Sequence, residues 1–513
     1  MNRQIEHRQD AKTLQGKLIE AESKRKQGKL KESEAICRKL LELHPTYVGA
    51  LQTFGLVATA QKNYRQAVTC FLTAAANAPA DPTSFTNLAV AWIGLDAPEM
   101  AAAMLREALR LDPHSPHVHH LMGDVCLQAN QYSKATISYR KALQINPDFA
   151  QSLMRLCECC INVGDFEEAC DLLRRARQLR PNDLAVASMM LQIPETMLDK
   201  TMDVAGTLRN ARKLKTEAQE DFQIKRGFLE AAFLDRSKQY EEAWKVLCAA
   251  NEKLEPVHQQ QRENQAAEQA GMLDDANRFD GRTLPKMTER RAGGTCPLFI
   301  LGPSRSGKTT LESLLASHDD VCRGFERGII QEATRRTSQS AGLIDITQLS
   351  NLPMHLNGAF ATTLRQLLVE AAGASPVLAT TAPGMIAIVA QLAQALPEAR
   401  FVFMRRDRED TALRILMKNY KTGNPYSSNL AATRAFLDWY DAITNVWCEK
   451  LRKRALMIEY EDMAKDPQTA VRRVTELCSL TDAGKPALRL PSFDVGASAP
   501  YRNLMHCGGV KQM

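Results

Sequence analysis

The 513-residue sequence has no apolar run near the ~18 residues that a membrane-crossing helix requires, so a bilayer span is not expected. Glycine (26) and proline (22) are too few for a collagen-like or low-complexity chain. The 13 cysteines are odd in number and scattered, which argues against a disulfide framework and for reduced thiols. The first residues, MNRQIEHRQDAKTLQ, lack the apolar core of a secretory signal, and a cytoplasmic location is the expectation. What remains is ordinary: 44% hydrophobic and 24% charged residues, enough to bury cores in two to four domains at roughly 100–200 residues each. A net charge of +7 permits an anionic ligand without requiring nucleic acid.

The first half repeats. Pro45, Pro79, Pro113, Pro147 and Pro181 follow one another at 34-residue intervals, each closing a segment such as REALRLDP or KALQINP. Upstream of them, small and large positions return in register: Ala67, Ala101, Ala135 and Ala169; Phe71, Leu105, Tyr139 and Leu173; Ala74, Ala108, Ala142 and Ala176. Gly55 and Gly123 mark close packing in two units, and Ser33 stands in the alanine register of the first. The pattern resembles the tetratricopeptide repeat (TPR). Two short antiparallel helices cannot bury their apolar faces alone, so neighbouring pairs must stack. Five units span 14–181. A degenerate helical segment follows over 182–256, with Ala243, Leu247 and Ala250 in register, and 257–292 reads as a polar helix running into a linker.

The TPR resemblance implies a protein or peptide partner in a groove lined by the first helix of each unit, with Thr83, Thr86, His117, His120 and Met154 on its wall. The family's clamp for a C-terminal carboxylate is not expected, because Leu18, Gln52 and Leu56 occupy the corresponding positions. The cluster HSPHVHH (His114, His117, His119, His120) lacks carboxylate or cysteine partners at helical spacing, so groove or solvated histidines are favoured over a metal site. Cys157 and Cys160 form a C-x-x-C inside a repeat helix, where buried core thiols are the simpler reading.

From Cys296 the pattern changes. CPLFILG suits a buried parallel strand, and PSRSGKTT leads directly into the helical TLESLLASH. Strand, glycine loop and helix start form an anion site, since several N–H groups and the positive end of the helix dipole converge. Strand-like runs recur at 375–380, 399–405 and 454–460 between helical stretches at 384–396, 410–419, 431–452 and 466–478, the alternation of an α/β domain with a mainly parallel sheet, set at 293–513.

Gly302, Gly307, Lys308 and Thr309 satisfy the G-x-x-x-x-G-K-T phosphate loop of nucleoside triphosphatases and kinases. The same stretch, PLFILGPSRSGKTTLESLLASHDDV, also resembles the opening of the sulfotransferases. Three later segments resemble that family in order: ARFVFMRRDREDTALRILMKNY (399–420), NPYSSNLAATRAFLDWYDAITNVW (424–447) and LMIEYEDMAKDPQTAVRRVTELCSL (456–480). The chain is thus similar overall to a TPR array fused to a sulfotransferase domain like that of the protein-tyrosine sulfotransferases.

The resemblance implies a donor co-substrate, 3′-phosphoadenosine 5′-phosphosulfate, no metal, and a hydroxyl acceptor on a peptide tyrosine, saccharide or small molecule. A homodimer is compatible with it. It places the donor's 5′-phosphosulfate on Arg305, Ser306, Gly307, Lys308, Thr309 and Thr310, and its 3′-phosphate on Arg406 with Arg405 or Arg414. Lys308 would follow charge onto the bridging oxygen; VCRGFERGII sets Phe325 and Glu326 against the family's Glu-Glu pair, which makes Glu326 the candidate base, with a surface pairing to Arg323 or Arg327 as the other reading. Three positions depart from the family: Thr380-Thr381-Ala382-Pro383 lacks its lysine, Arg414 replaces a serine, and Lys308 replaces a threonine. Compensation between these charges is one account of them. The alternatives are a P-loop triphosphatase or kinase and a TPR scaffold with little catalysis.

Overall fold

The computed structural model describes residues 2–128, 132–199, 202–211, 219–288, 294–325, 328–343, 349–381, 384–420, 423–480 and 493–506. The chain divides into two compact units, Met1–Thr207 and Leu208–Met513.

The 34-residue period is the length of a helix hairpin with its turns. The first unit builds five: α1 Asn2–Lys26 with α2 Leu30–Leu43, α3 Val48–Ala60 with α4 Tyr64–Asn77, α5 Pro82–Gly94 with α6 Pro98–Leu111, α7 Pro116–Gln128 with α8 Tyr132–Ile145, and α9 Ala150–Val163 with α10 Phe166–Leu179. The five periodic prolines each lie two residues past the end of a second helix, where a residue without an N–H stops helix growth. Asp81 caps α5 by accepting from the N–H groups of Thr83 and Ser84. All eight periodic alanines are fully buried, and a side chain at Gly55 or Gly123 would run into Phe71 or Tyr139. Ser33 keeps its register by donating its hydroxyl to the Ala21 carbonyl at 2.7 Å, which satisfies the one polar atom the substitution buries. Cys157 and Cys160 are buried, and burial pushes both thiols up to about 12, as expected of core residues. Short helices α11 Leu184–Met190 and α12 Val204–Ala211 follow.

The second unit, whose boundary at Leu208 falls within α12, continues with α13 Glu220–Arg236 and α14 Tyr240–Arg278. Ala243, Leu247 and Ala250 pack in the α13–α14 hairpin as in a repeat, but α14 does not stop at Pro256. It continues for 39 residues in all. Of the stretch 257–292, expected to be a polar helix and linker, the residues through Arg278 continue α14 within the second unit and are hydrogen-bonded to the α/β layer. Buried His258 spans the Ser428 hydroxyl (2.8 Å) and the Tyr420 carbonyl (2.9 Å). Arg262 pairs with Glu255 and donates to the Pro425 carbonyl, and Trp439 donates to the Gln269 carbonyl at 2.8 Å.

The remaining elements are β1 Cys296–Leu301, α15 Lys308–Leu315, β2 Val321–Phe325, α16 Ile329–Ser340, α17 Asn357–Ala372, β3 Val377–Thr380, α18 Val389–Ala395, β4 Arg400–Arg405, α19 Arg408–Leu416, α20 Leu430–Leu451, β5 Ala455–Glu459, α21 Tyr460–Lys465, α22 Pro467–Leu477 and α23 Arg502–His506. Five parallel strands pair in the order β2-β3-β1-β4-β5. β1 and β3 are buried along their whole length, as strands covered on both faces must be. Leaving β3, the chain crosses to the other side of β1, so β1 and β4 become neighbours with Leu301 beside Phe403. Such a switch opens a crevice at the carboxyl ends of the strands, where ligands of open α/β sheets bind. β2 was not evident from the sequence: VCRGF interrupts apolar residues with Arg323 and Gly324, and Gly324 is required because a side chain there would meet the Ala379 carbonyl at 2.6 Å.

Burial lowers the pKa of His258 below 6.5, so the clamp it makes is strongest with a neutral ring. Its contribution is complete above pH 6.5 and declines as the pH falls from there through the folded-state value. His258→Ala is expected to cost about 1–3 kcal/mol in urea unfolding at pH 7.5, and to flatten the stability loss between pH 6.5 and 5. Equal pH slopes for the two proteins would contradict the assignment.

Candidate functional site

The loop after β1 is set by two local requirements. Arg305 and Gly307 both have left-handed backbone, at φ 67° and 93°, and a side chain at Gly307 would lie 2.3 Å from the Tyr460 ring. Glycine is therefore needed at 307 for conformation and for space. Gly307 precedes α15 with no side-chain cap, so the first-turn N–H groups at 308–310 are not satisfied within the helix. The Lys308 ammonium folds back to donate to the Gly302 and Pro303 carbonyls, both at 2.7 Å, and holds the loop closed on itself.

This loop forms one wall of a cavity of about 260 Å³. Arg305, Lys308, Thr309 and Thr310 line it, joined by Arg406 at the end of β4 and by Lys418 and Tyr460. Four cations and no carboxylate stand among its described lining residues, a set that suits phosphate or sulfate groups better than a hydrated divalent cation. Asp407, the acidic residue nearest the strand end, is committed elsewhere: it caps α19 through the Asp410 N–H, and its own N–H goes to Glu461.

Arg406 is the most enclosed of the four, with 5% of its side chain exposed. Its guanidinium lies 4.6 Å over the Tyr460 ring, donates to the Arg305 carbonyl at 3.2 Å, and faces Asp410 at 3.7 Å and Asp494 at 3.4 Å. Its Nε and the buried Ser306 hydroxyl are without a hydrogen-bond partner among the described residues. An uncapped helix start beside four cations fits an anionic group.

Several sequence-derived positions differ from expectation. Arg414 does not line the cavity. Its guanidinium takes both Asp494 oxygens (2.6 and 3.0 Å) and Asp235 (2.9 Å), pairing forced by its burial. Burial opposes its charge, but the two carboxylates outweigh that and raise its pKa. Arg405 points to Glu459, Asp441 and Asn445. Ser306 lies beneath the loop, its Oγ against Gly302, so its side chain does not line the cavity. In the first unit, Thr83 and His117 are exposed, but Thr86, His120 and Met154 are buried; His120 is held by Ser152 and Asp124 instead of facing a groove. Glu326, Ala382 and Pro383 lie outside the described residues.

Sequence reading missed Lys418 and α14. Lys418 stands near the end of the 399–420 segment, where nothing local marks it for the site, yet it brings a lysine to the cavity while Thr380 and Thr381 are buried. A second cavity of about 460 Å³ adjoins the first, sharing Ser304, Lys308 and Lys418. Its walls are aromatic side chains of the 420–440 segment and one face of α14. Two adjacent compartments with a lysine pair at their junction can hold an anionic donor and an acceptor side by side.

Residues 297–483 match the model of the sulfotransferase family, and residues 53–116, 116–149 and 138–193 match tetratricopeptide repeat models. The chain is 24% identical over 192 residues to protein-tyrosine sulfotransferase A of Caenorhabditis elegans, covering 36% of this chain and 50% of that protein. It is also 24% identical over 185 residues to the protein-tyrosine sulfotransferase of Drosophila melanogaster, covering 34% and 36%. The chain spans between about a third and half the length of the curated relatives it matches. Among solved structures, a thermophilic TPR protein of Thermus thermophilus aligns over 35% of this chain and 99% of its own, at 21% identity and a TM-score of 0.32. No helix among the described residues is long and apolar enough to cross a membrane.

Asp410 ties segment 493–506 to the site by accepting from the Gly496 N–H (2.7 Å) and from the Ser498 N–H (2.8 Å) and hydroxyl (2.7 Å). Burial opposes its charge, yet these bonds and Arg406 lower its pKa below 3.8, and Arg414 and Arg406 do the same for Asp494. Their contribution is therefore present above pH 3.8 and lost as the pH falls through the lower folded values. Asp410→Ala is expected to speed exchange of the Gly496 and Ser498 amides by roughly ten- to a hundredfold, the equivalent of ~1.5–3 kcal/mol. Hydrogen exchange read by mass spectrometry checks it, and unchanged protection at 494–500 would refute it.

Proposed function

Because the chain joins tetratricopeptide repeats to a sulfotransferase-family domain, we propose that it moves a sulfuryl group from 3′-phosphoadenosine 5′-phosphosulfate to a hydroxyl acceptor. The observation that carries this reading is the cavity of Arg305, Lys308, Arg406 and Lys418, with no carboxylate among its described lining residues, adjoining a second compartment. The donor supplies an activated sulfuryl group on a phosphate leaving group. The protein's task is to align acceptor oxygen, sulfur and leaving oxygen, and to neutralise charge that grows on the last.

In this reading the N–H groups of Lys308, Thr309 and Thr310 hold the 5′-phosphosulfate, with Arg305 covering it. Arg406, which lines the same cavity, takes the 3′-phosphate. Lys308 exchanges a loop carbonyl for the bridging oxygen, and Lys418 supplies the cation that the 380–383 stretch lacks. The S–O bond to the leaving phosphate breaks with its electron pair on that oxygen, a new S–O bond forms to the acceptor, and the acceptor proton passes to Glu326. The repeats recruit a protein or peptide partner, with exposed residues such as Thr83 and His117 available to it.

Calorimetry with adenosine 3′,5′-bisphosphate tests the donor site directly. Micromolar binding is expected, weakened about tenfold by Arg305→Ala and by Lys418→Ala, as for loss of one charged hydrogen bond. Absence of binding, with tight binding of ATP and Mg²⁺ instead, would favour a nucleoside triphosphatase.

A further inference from the structure

The second cavity carries chemistry that the family-matched region alone does not supply. About 460 Å³ is the size of a small-molecule pocket, and its far wall is the Gln265–Met272 stretch of α14, outside residues 297–483. This wall is fixed: His258 and Arg262 anchor α14 one to two turns before it, and Trp439 donates to the Gln269 carbonyl within it.

Aromatic rings line the same cavity. Tyr426 and Phe436 stack at 3.6 Å, Trp439 meets Tyr440 edge to face at 5.8 Å, and Tyr420 lines the opening. Burial raises the pKa of Tyr426 and Tyr440, so both phenols stay protonated and neutral. Ring faces attract cations through their quadrupoles, and the Lys418 ammonium already sits 5.6 Å from the Tyr420 ring.

Three charged residues stand among the described lining of this cavity: Lys308, Lys418 and Glu268. The two lysines also line the donor cavity, where the donor's own charges would match them. Glu268 lines only the aromatic cavity, and it has no hydrogen-bond or ion-pair partner among the described residues. A carboxylate facing an aromatic wall selects for positive charge.

We propose that this cavity is the acceptor site for a hydroxyl compound carrying an ammonium group, with Glu268 of α14 as the residue that selects the cation. The hydroxyl points to the Ser304–Lys308 junction and the ammonium to Glu268. The assignment of the hydroxyl rests on the neighbouring cavity holding the sulfuryl donor, whereas the selection for a cation does not.

Three phenols of similar shape serve as probes on the full chain: tyramine, 4-ethylphenol and 3-(4-hydroxyphenyl)propionate. Calorimetry is run with and without adenosine 3′,5′-bisphosphate. Tyramine is expected to bind roughly tenfold tighter than 4-ethylphenol, and the propionate weakest, as for one charged contact. Glu268→Gln should remove about that tenfold advantage, and Glu268→Lys should invert the order. Glu268 is exposed, so both variants should fold, which thermal melting checks. Equal affinities for the three phenols, no phenol binding, or an unchanged order in Glu268→Gln would each overturn the proposal. If the bisphosphate binds and the charge order is missing, the acceptor proposal fails alone. If the charge order holds and the bisphosphate does not bind, the donor reading fails and the cation site stands.

Discussion

The guanidinium of Arg406, with 5% of its side chain exposed, needs neutralising partners, and the arrangement of the second unit around it follows from that requirement. Its partners come from four separate segments: the loop carbonyl of Arg305, the Asp410 carboxylate of α19, the ring of Tyr460 at the start of α21, and Asp494 of the C-terminal stretch. Tyr460 also packs against Gly307 and accepts the Asp494 N–H, so the same group fixes the height of the loop and the position of the stretch. Removing any one partner leaves an uncompensated charge for the others to hold.

The exchange of partners among arginines explains why motif matching alone misassigns them. Arg406 and Arg414 are both near Asp494, but of the two only Arg406 lines the cationic cavity. Arg414 is turned toward Asp235 and becomes part of the joint between α13 and the α/β layer. A serine-to-arginine departure that looked like added phosphate charge is a structural cross-link. Lys418, which the chain brings in just past the end of α19, lines the same cavity as Arg406.

The role of α14 is the larger difference between sequence and structure. Its first three turns keep the repeat register of Ala243, Leu247 and Ala250, and its polar composition after Pro256 gave no periodic signal to follow. The polar side chains are there because this part of the helix borders a cavity and holds a loop. His258, Glu255 and Arg262 act on residues 420–428, more than 160 positions away. Pairings at that separation leave no local pattern.

Sequence alone determined the repeat array, the strand-loop-helix of the phosphate loop and the order of the later strands, because each is written in local periodicity or in residues that fix backbone conformation. Alanine at a 34-residue period and glycine at 307 are required wherever the chain goes next. Tertiary structure decided which cations share a cavity, which carboxylates neutralise the rest, and that α14 faces the site. Those outcomes depend on which strands become neighbours, and β1 meets β4 only after the chain crosses the sheet.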